Sequence, residues 1–207
     1  MFPSAEIRWF WRDACPPQVR EWFFETGLKP GAGPPRIDRY LALPNNRELG
    51  VKQRGDLPGL EIKGRVAVQT DPEIGRFGDR LEIWCKWSTA SSFLDAANTV
   101  AVKKTRWLRT FDASKPVGVE LPLDSNETPQ LGYAFPVQGC NVELTEVQLS
   151  NRSELWWTLG FEAFGDLDNV STNLTRVLRP EECVLAGVVS SGALLSYPSW
   201  LSARLAD

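Results

Sequence analysis

The chain contains no histidine among its 207 residues. That excludes Ser-His-Asp and Cys-His catalytic groups, histidine-ligated metals and histidine general bases. Its four cysteines, Cys15, Cys85, Cys140 and Cys183, are scattered with no CxxC pair, which argues against a disulfide framework or a zinc site. Neither GxxxxGK[ST] nor GxGxxG occurs, so the common glycine-rich phosphate cradles are missing. No apolar run approaches the roughly 20 residues that span a bilayer. The nearest, Val184–Leu195, is broken by Gly187, Ser190, Ser191 and Gly192. The N-terminal stretch MFPSAEIRWFWRDACPP lacks the basic start and small-residue cleavage site of a signal peptide. A cytoplasmic protein with no membrane partner is therefore expected. The formal net charge of −3 gives no global pull toward nucleic acid, so any anion site must arise from local arrangement.

What is present is alternation. Strands are expected at Ser4–Trp11, Arg36–Leu43, Leu49–Gly55, Leu60–Val68, Arg80–Ser88, Val100–Phe111, Asn141–Leu149 and Glu154–Phe164. Clusters of Pro, Gly, Asn and Asp separate them. PPQVREWFFETG predicts a helix opened by prolines and closed by Gly27, and a short helix is expected near Ser91–Asn98. From Asp166 onward the chain reads as helical, with Pro180 at a helix start and Pro198 as an interruption. No linker or repeat divides it. The expectation is one mainly β domain of α+β class spanning 1–207, with 166–207 a helical extension packed on the outside. A dimer contact is the alternative use of that apolar extension.

Successive strand residues face opposite ways, so parity sorts the charges. Lys52 and Arg54 share a face; so do Glu61, Lys63 and Arg65; so do Glu82, Trp84 and Lys86; so do Lys104 and Arg106; and so do Ser4, Glu6 and Arg8. Glu143 pairs in parity with Thr145, and Glu162 with Thr158 and Gly160. A sheet with one solvated, charge-mixed face would look this way. Yet basic residues recurring at i and i+2 on several strands crowd like charge onto one surface, which is costly unless anions or interleaved carboxylates answer it. Trp9, Trp87 and Trp157 fall on the apolar faces, which assigns them to core packing rather than base stacking.

Taken in order, these motifs resemble the CYTH (triphosphate tunnel) superfamily. SAEIR (Ser4, Glu6, Arg8) stands where that family has ExExK; RIDRYL supplies Asp38 and Tyr40; VKQR, LEIK and VKKTR resemble its basic strands; VELTEV and GFEAFG resemble its late acidic ones. The likeness spans Ser4–Gly165. It departs at Ser4 and Arg8, and at Thr145 and Gly160, where a second acid is usual. The resemblance implies an eight-stranded antiparallel β-barrel forming a tunnel, with flanking helices. It implies a small phosphate-bearing anion held by Arg8, Lys52, Arg54, Lys63, Lys86, Lys104 and Arg106, with Lys63 and Arg54 the catalytic candidates. Mg²⁺ or Mn²⁺ would sit on Glu6, Glu143 and Glu162. Two functions follow as expectations: a metal-dependent phosphohydrolase acting on triphosphate or a triphosphate-bearing small molecule, or a non-catalytic polyphosphate- or nucleotide-binding tunnel.

Overall fold

Regular alternation over eight segments builds a single wound sheet. The structure is a computed structural model describing residues 1–78, 80–90, 93–94 and 96–206, with only the backbone at Ala96. The elements run β1 (Phe2–Arg12), α1 (Pro17–Glu25), β2 (Gly31–Ala32), β3 (Arg36–Leu41), β4 (Leu49–Gln53), β5 (Glu61–Thr70), β6 (Arg80–Ser88), β7 (Thr99–Asp112), β8 (Val119–Leu121), β9 (Gly139–Leu149), β10 (Leu155–Phe164), α2 (Val170–Leu178), α3 (Glu182–Val189), β11 (Ala193–Leu194) and α4 (Tyr197–Ala206). Short 3-10 turns lie at Pro72–Phe77, Ala96–Asn98 and Arg179–Glu181. Eight strands close an antiparallel barrel in the order β1-β6-β5-β4-β3-β7-β9-β10, with β10 returning to β1. β2 and β8 pair with β7, and β11 takes the part of the β1 edge that β6 leaves free.

Register puts the charged parity inside. Glu6 lies opposite Glu162, Arg8 opposite Gly160, Gly160 opposite Glu143, and Lys52 opposite Glu61. The odd residues of β1 face outward beneath helices: Ile7, Trp9 and Trp11 join Trp22 and Phe23 of α1, Leu174 and Leu178 of α2, and Leu185 of α3 in the larger apolar core. Trp9 meets Phe161 edge-on at 6.3 Å between ring centres, and Trp22 lies nearly parallel to the same ring at 6.2 Å. The major hydrophobic core therefore lies around the barrel wall, and this is what releases the lumen for polar side chains.

The helix at α1 begins at Pro17, where a missing N–H costs nothing, and ends before Gly27 at φ +71°. Of the helix expected near Ser91–Asn98, only the 3-10 turn Ala96–Asn98 is described; Ser91, Ser92 and Asp95 lie outside the described residues. Pro198 does not interrupt a helix. It sits in the first turn of α4, and the break comes earlier, where Ala193 and Leu194 leave helical geometry to pair with β1.

The extension also packs differently from the expectation of an outer coat. α2 and α3 do lie outside, but Trp200 and Leu201 of α4 join the inward residues Phe10, Tyr40, Val100, Val102, Val147 and Leu149 in a second apolar cluster. Trp200 stacks on Phe10 at 5.2 Å. The inward positions at this end are apolar, so only an apolar helix satisfies them, and α4 acts as a stopper. Trp9 and Trp157 are buried as core residues, whereas Trp87 is 43 % exposed, beyond the part of β6 where Leu81 and Ile83 join the outer core. No helix among the described residues is long and apolar enough to cross a membrane.

Candidate functional site

The barrel brings together most of the charges that parity had grouped, whereas Arg65 and Glu82 pair with each other at 2.6 Å away from the cavity they were expected to share. One cavity of about 120 Å³ is lined by Glu6 and Arg8 of β1, Lys52 of β4, Arg54 just beyond it, Lys63 of β5, Lys86 of β6, Lys104 and Arg106 of β7, Glu143 of β9 and Glu162 of β10. Arg36 of β3 and Glu61 of β5 complete the set, giving eight cations to four carboxylates on one wall. Tyr197, Pro198, Leu201 and Ser202 of α4 close one side.

The carboxylates are spoken for by these cations. Glu143 joins Arg8 at 3.0 Å and Arg106 at 2.9 Å. Burial raises its carboxyl pKa, but the two guanidiniums prevail and hold it well below the ordinary range. Glu61 joins Lys52 at 3.0 Å and Arg54 at 2.9 Å, which overcome burial and bring it down to about 2. It balances the charge of Lys52 and Arg54. Asp38 is fully buried, and despite that burial Lys104 at 3.2 Å, with help from Lys52 and from Arg36 at 3.1 Å, holds it at about 2. Lys104 also donates to the Tyr40 hydroxyl at 2.5 Å and lies against the rings of Tyr40 and Tyr197. Burial nevertheless pulls its ammonium well below its usual pKa. Asp38 and Tyr40 thus orient a lumen lysine.

Glu6 and Glu162 form a different pair. They face each other across β1 and β10, and Lys63 bonds Glu6 and sits 3.8 Å from Glu162. Burial and the repulsion of Glu162 raise the Glu6 pKa, although Lys63 and Arg8 pull the other way. The three expected metal ligands are thereby divided: Glu143 is bound by two arginines, and Glu6 with Glu162 is bridged by an ammonium. Among the described residues no group of three or more acidic or cysteine side chains converges as a ligand set. A preformed three-carboxylate cage for Mg²⁺ or Mn²⁺ does not fit this arrangement.

Lys86 stands apart. It lines the cavity opposite Lys63 with no carboxylate within ion-pairing distance among the described residues. Trp84, which shares its face, is fully buried and lies 5.5 Å from the Lys63 ammonium. Two participants escaped the sequence reading. Arg36 shares parity with Asp38 and Tyr40 in RIDRYL, so the same rule would have found it. Glu127 binds Arg106 from a turn, where no periodicity exists to flag it. No protein-family model matches the chain, and no curated protein matches its sequence.

Proposed function

We propose that this protein is a divergent barrel of the CYTH type that captures a small polyanion, a tripolyphosphate or a triphosphate-bearing molecule, on its inward cations. The observation that carries this is the convergence of eight cationic side chains on one cavity, against four carboxylates that line it and Asp38 and Glu127 that pair with them from behind, in a chain whose net charge is −3. Such a local surplus is electrostatically unfavourable until an anion enters. Arginines at Arg8, Arg54 and Arg106 suit bidentate contact with phosphate oxygens, and Lys52, Lys63 and Lys86 supply mobile point charges. The stopper at α4 and the small cavity favour a compact ligand over nucleic acid.

A second reading, hydrolysis, is favoured by one arrangement: Glu6 and Glu162 face each other with Lys63 between them. Two carboxylates and ligand phosphates are a sufficient set for Mg²⁺, which when bound would neutralise phosphoryl charge. Lys63 then supplies charge to the ligand, with Arg54 on the same cavity as the other catalytic candidate. One experiment separates the readings: thermal unfolding with tripolyphosphate and with ATP, each with and without Mg²⁺ or Mn²⁺, scoring released phosphate in the same wells. Stabilisation without release supports capture, since a ligand binding only the native state raises its stability. Metal-dependent release abolished by Lys63→Ala supports hydrolysis. No shift with either ligand overturns both.

A further inference from the structure

The Arg106 guanidinium is held between two carboxylates. Its Nη1 donates to Glu143 at 2.9 Å, and its Nε donates to Glu127 Oε1 at 2.9 Å. Nη2 donates to the other oxygen of Glu127. Glu127 therefore presents both oxygens to one edge of the guanidinium, the geometry in which a phosphate would be received. Both side chains are nearly buried, at 13 % and 11 % exposure.

The turn that delivers Glu127 is specialised. Glu127 has φ +63°, the left-handed region that a non-glycine residue enters at a cost. Asp124 secures it: its side chain accepts from the N–H groups of Asn126 at 2.8 Å and Thr128 at 3.0 Å, and its carbonyl accepts from the Glu127 N–H at 3.1 Å. Room is made opposite. A Cβ at Gly33 would sit 3.0 Å from Glu127 Oε1, and one at Gly31 would sit 3.3 Å from the Glu127 Cα. A strained turn, its anchor and two glycines all serve the approach of a single carboxylate to Arg106.

We propose that Glu127 is a specificity-determining residue, a resident anion that a ligand must displace before it engages Arg106. This rests on the polyanion-binding reading above. An anion too short to hold Lys52, Arg54 and Lys63 and still reach Arg106 leaves Glu127 in place and binds on the remaining cations. A longer chain replaces the carboxylate with a phosphate and frees the turn. Glu127 thereby sets the affinity of long polyanions and hardly touches that of short ones.

The test compares wild type with Glu127→Gln by titration calorimetry, using inorganic phosphate and tripolyphosphate at one ionic strength. Glu127→Gln is expected to tighten tripolyphosphate binding about tenfold, as befits removal of one charge-assisted competitor. Inorganic phosphate should change by less than about threefold, the residue of long-range charge alone. Equal affinities for tripolyphosphate in the two proteins would overturn the proposal while leaving the binding reading intact. No binding by either protein would overturn both. Hydrogen exchange in the wild type gives an answer that needs no variant. Tripolyphosphate should quicken exchange of the 124–128 amides, and unchanged or slower exchange there would mean that Glu127 is never displaced.

Discussion

The outer and inner faces of the same strands solve opposite problems. Outside, Trp9, Trp22 and Phe161 pack against helices and leave little to rearrange. Inside, ion pairs at Glu143, Glu61 and Glu6 neutralise cations that are too many for them. The first face is a source of stability and the second holds a standing surplus of positive charge. The difference teaches that a barrel can place its core on its rim, provided that helices cover the rim, and keep its lumen for binding.

The contrast is sharpest at Trp9. Trp9→Ala should lower stability by about 3–5 kcal/mol in denaturant unfolding while the folded fraction keeps its anion affinity; a small loss would mean that the outer face is not the core. Glu143→Ala should cost somewhat less, about 2–4 kcal/mol, because it leaves Arg8 and Arg106 short of a buried partner. Unlike the first variant, it should recover much of that loss when tripolyphosphate is added. A variant equally unstable with and without the ligand would show the lumen to be as structural as the rim.

Acid separates the faces as well. Glu61 and Asp38 are held at about 2, below the ordinary carboxylate range. Their contribution is complete above the unfolded-state values near 4 and is lost as pH falls toward about 2. Glu61→Gln should flatten the loss of stability over that window by about 1–2 kcal/mol, read from unfolding midpoints at successive pH values; an unaltered slope would mean its ion pairs contribute nothing. The smallest effect is expected at Lys86, which among the described residues makes no ion pair with a carboxylate. Lys86→Ala should stay within about 0.5 kcal/mol of wild type in stability and yet weaken tripolyphosphate binding by calorimetry. Unchanged affinity would place Lys86 outside the ligand's reach.

Much of this was legible because parity is a local property. Lys52 and Arg54, or Glu6 and Arg8, fall on one face whatever the rest of the chain does. The eight strands follow from the same rule, since each alternating segment is bounded by turn residues. What local patterns could not contain were contacts made by non-periodic chain. Glu127 reaches Arg106 from a turn, and its position depends on the space left at Gly31 and Gly33. The placement of α4 was equally hidden: its apolar residues require a cover, but an outer wall and a barrel end satisfy that need alike. The inward apolar set Val100, Val102, Val147 and Leu149 decides between them, and these positions meet only after the sheet has closed. The split of Glu143 from Glu6 and Glu162 likewise depends on which cation is nearest, a matter of register across strands rather than of spacing within one.

Closure between β1 and β10 has a consequence for synthesis. Both neighbours of β1 lie downstream, and its longest pairing, Ser4 with Phe164 through Arg12 with Trp156, joins segments on the order of 150 residues apart. As the chain leaves the ribosome, β1 emerges before either neighbour, and its apolar and charged faces are not both covered until Phe164 has appeared. The stopper at α4 arrives later still. The nascent protein must therefore pass through a stage as an open, curled sheet, with aromatic residues of its future rim uncovered, and that interval is when it most needs protection from its neighbours.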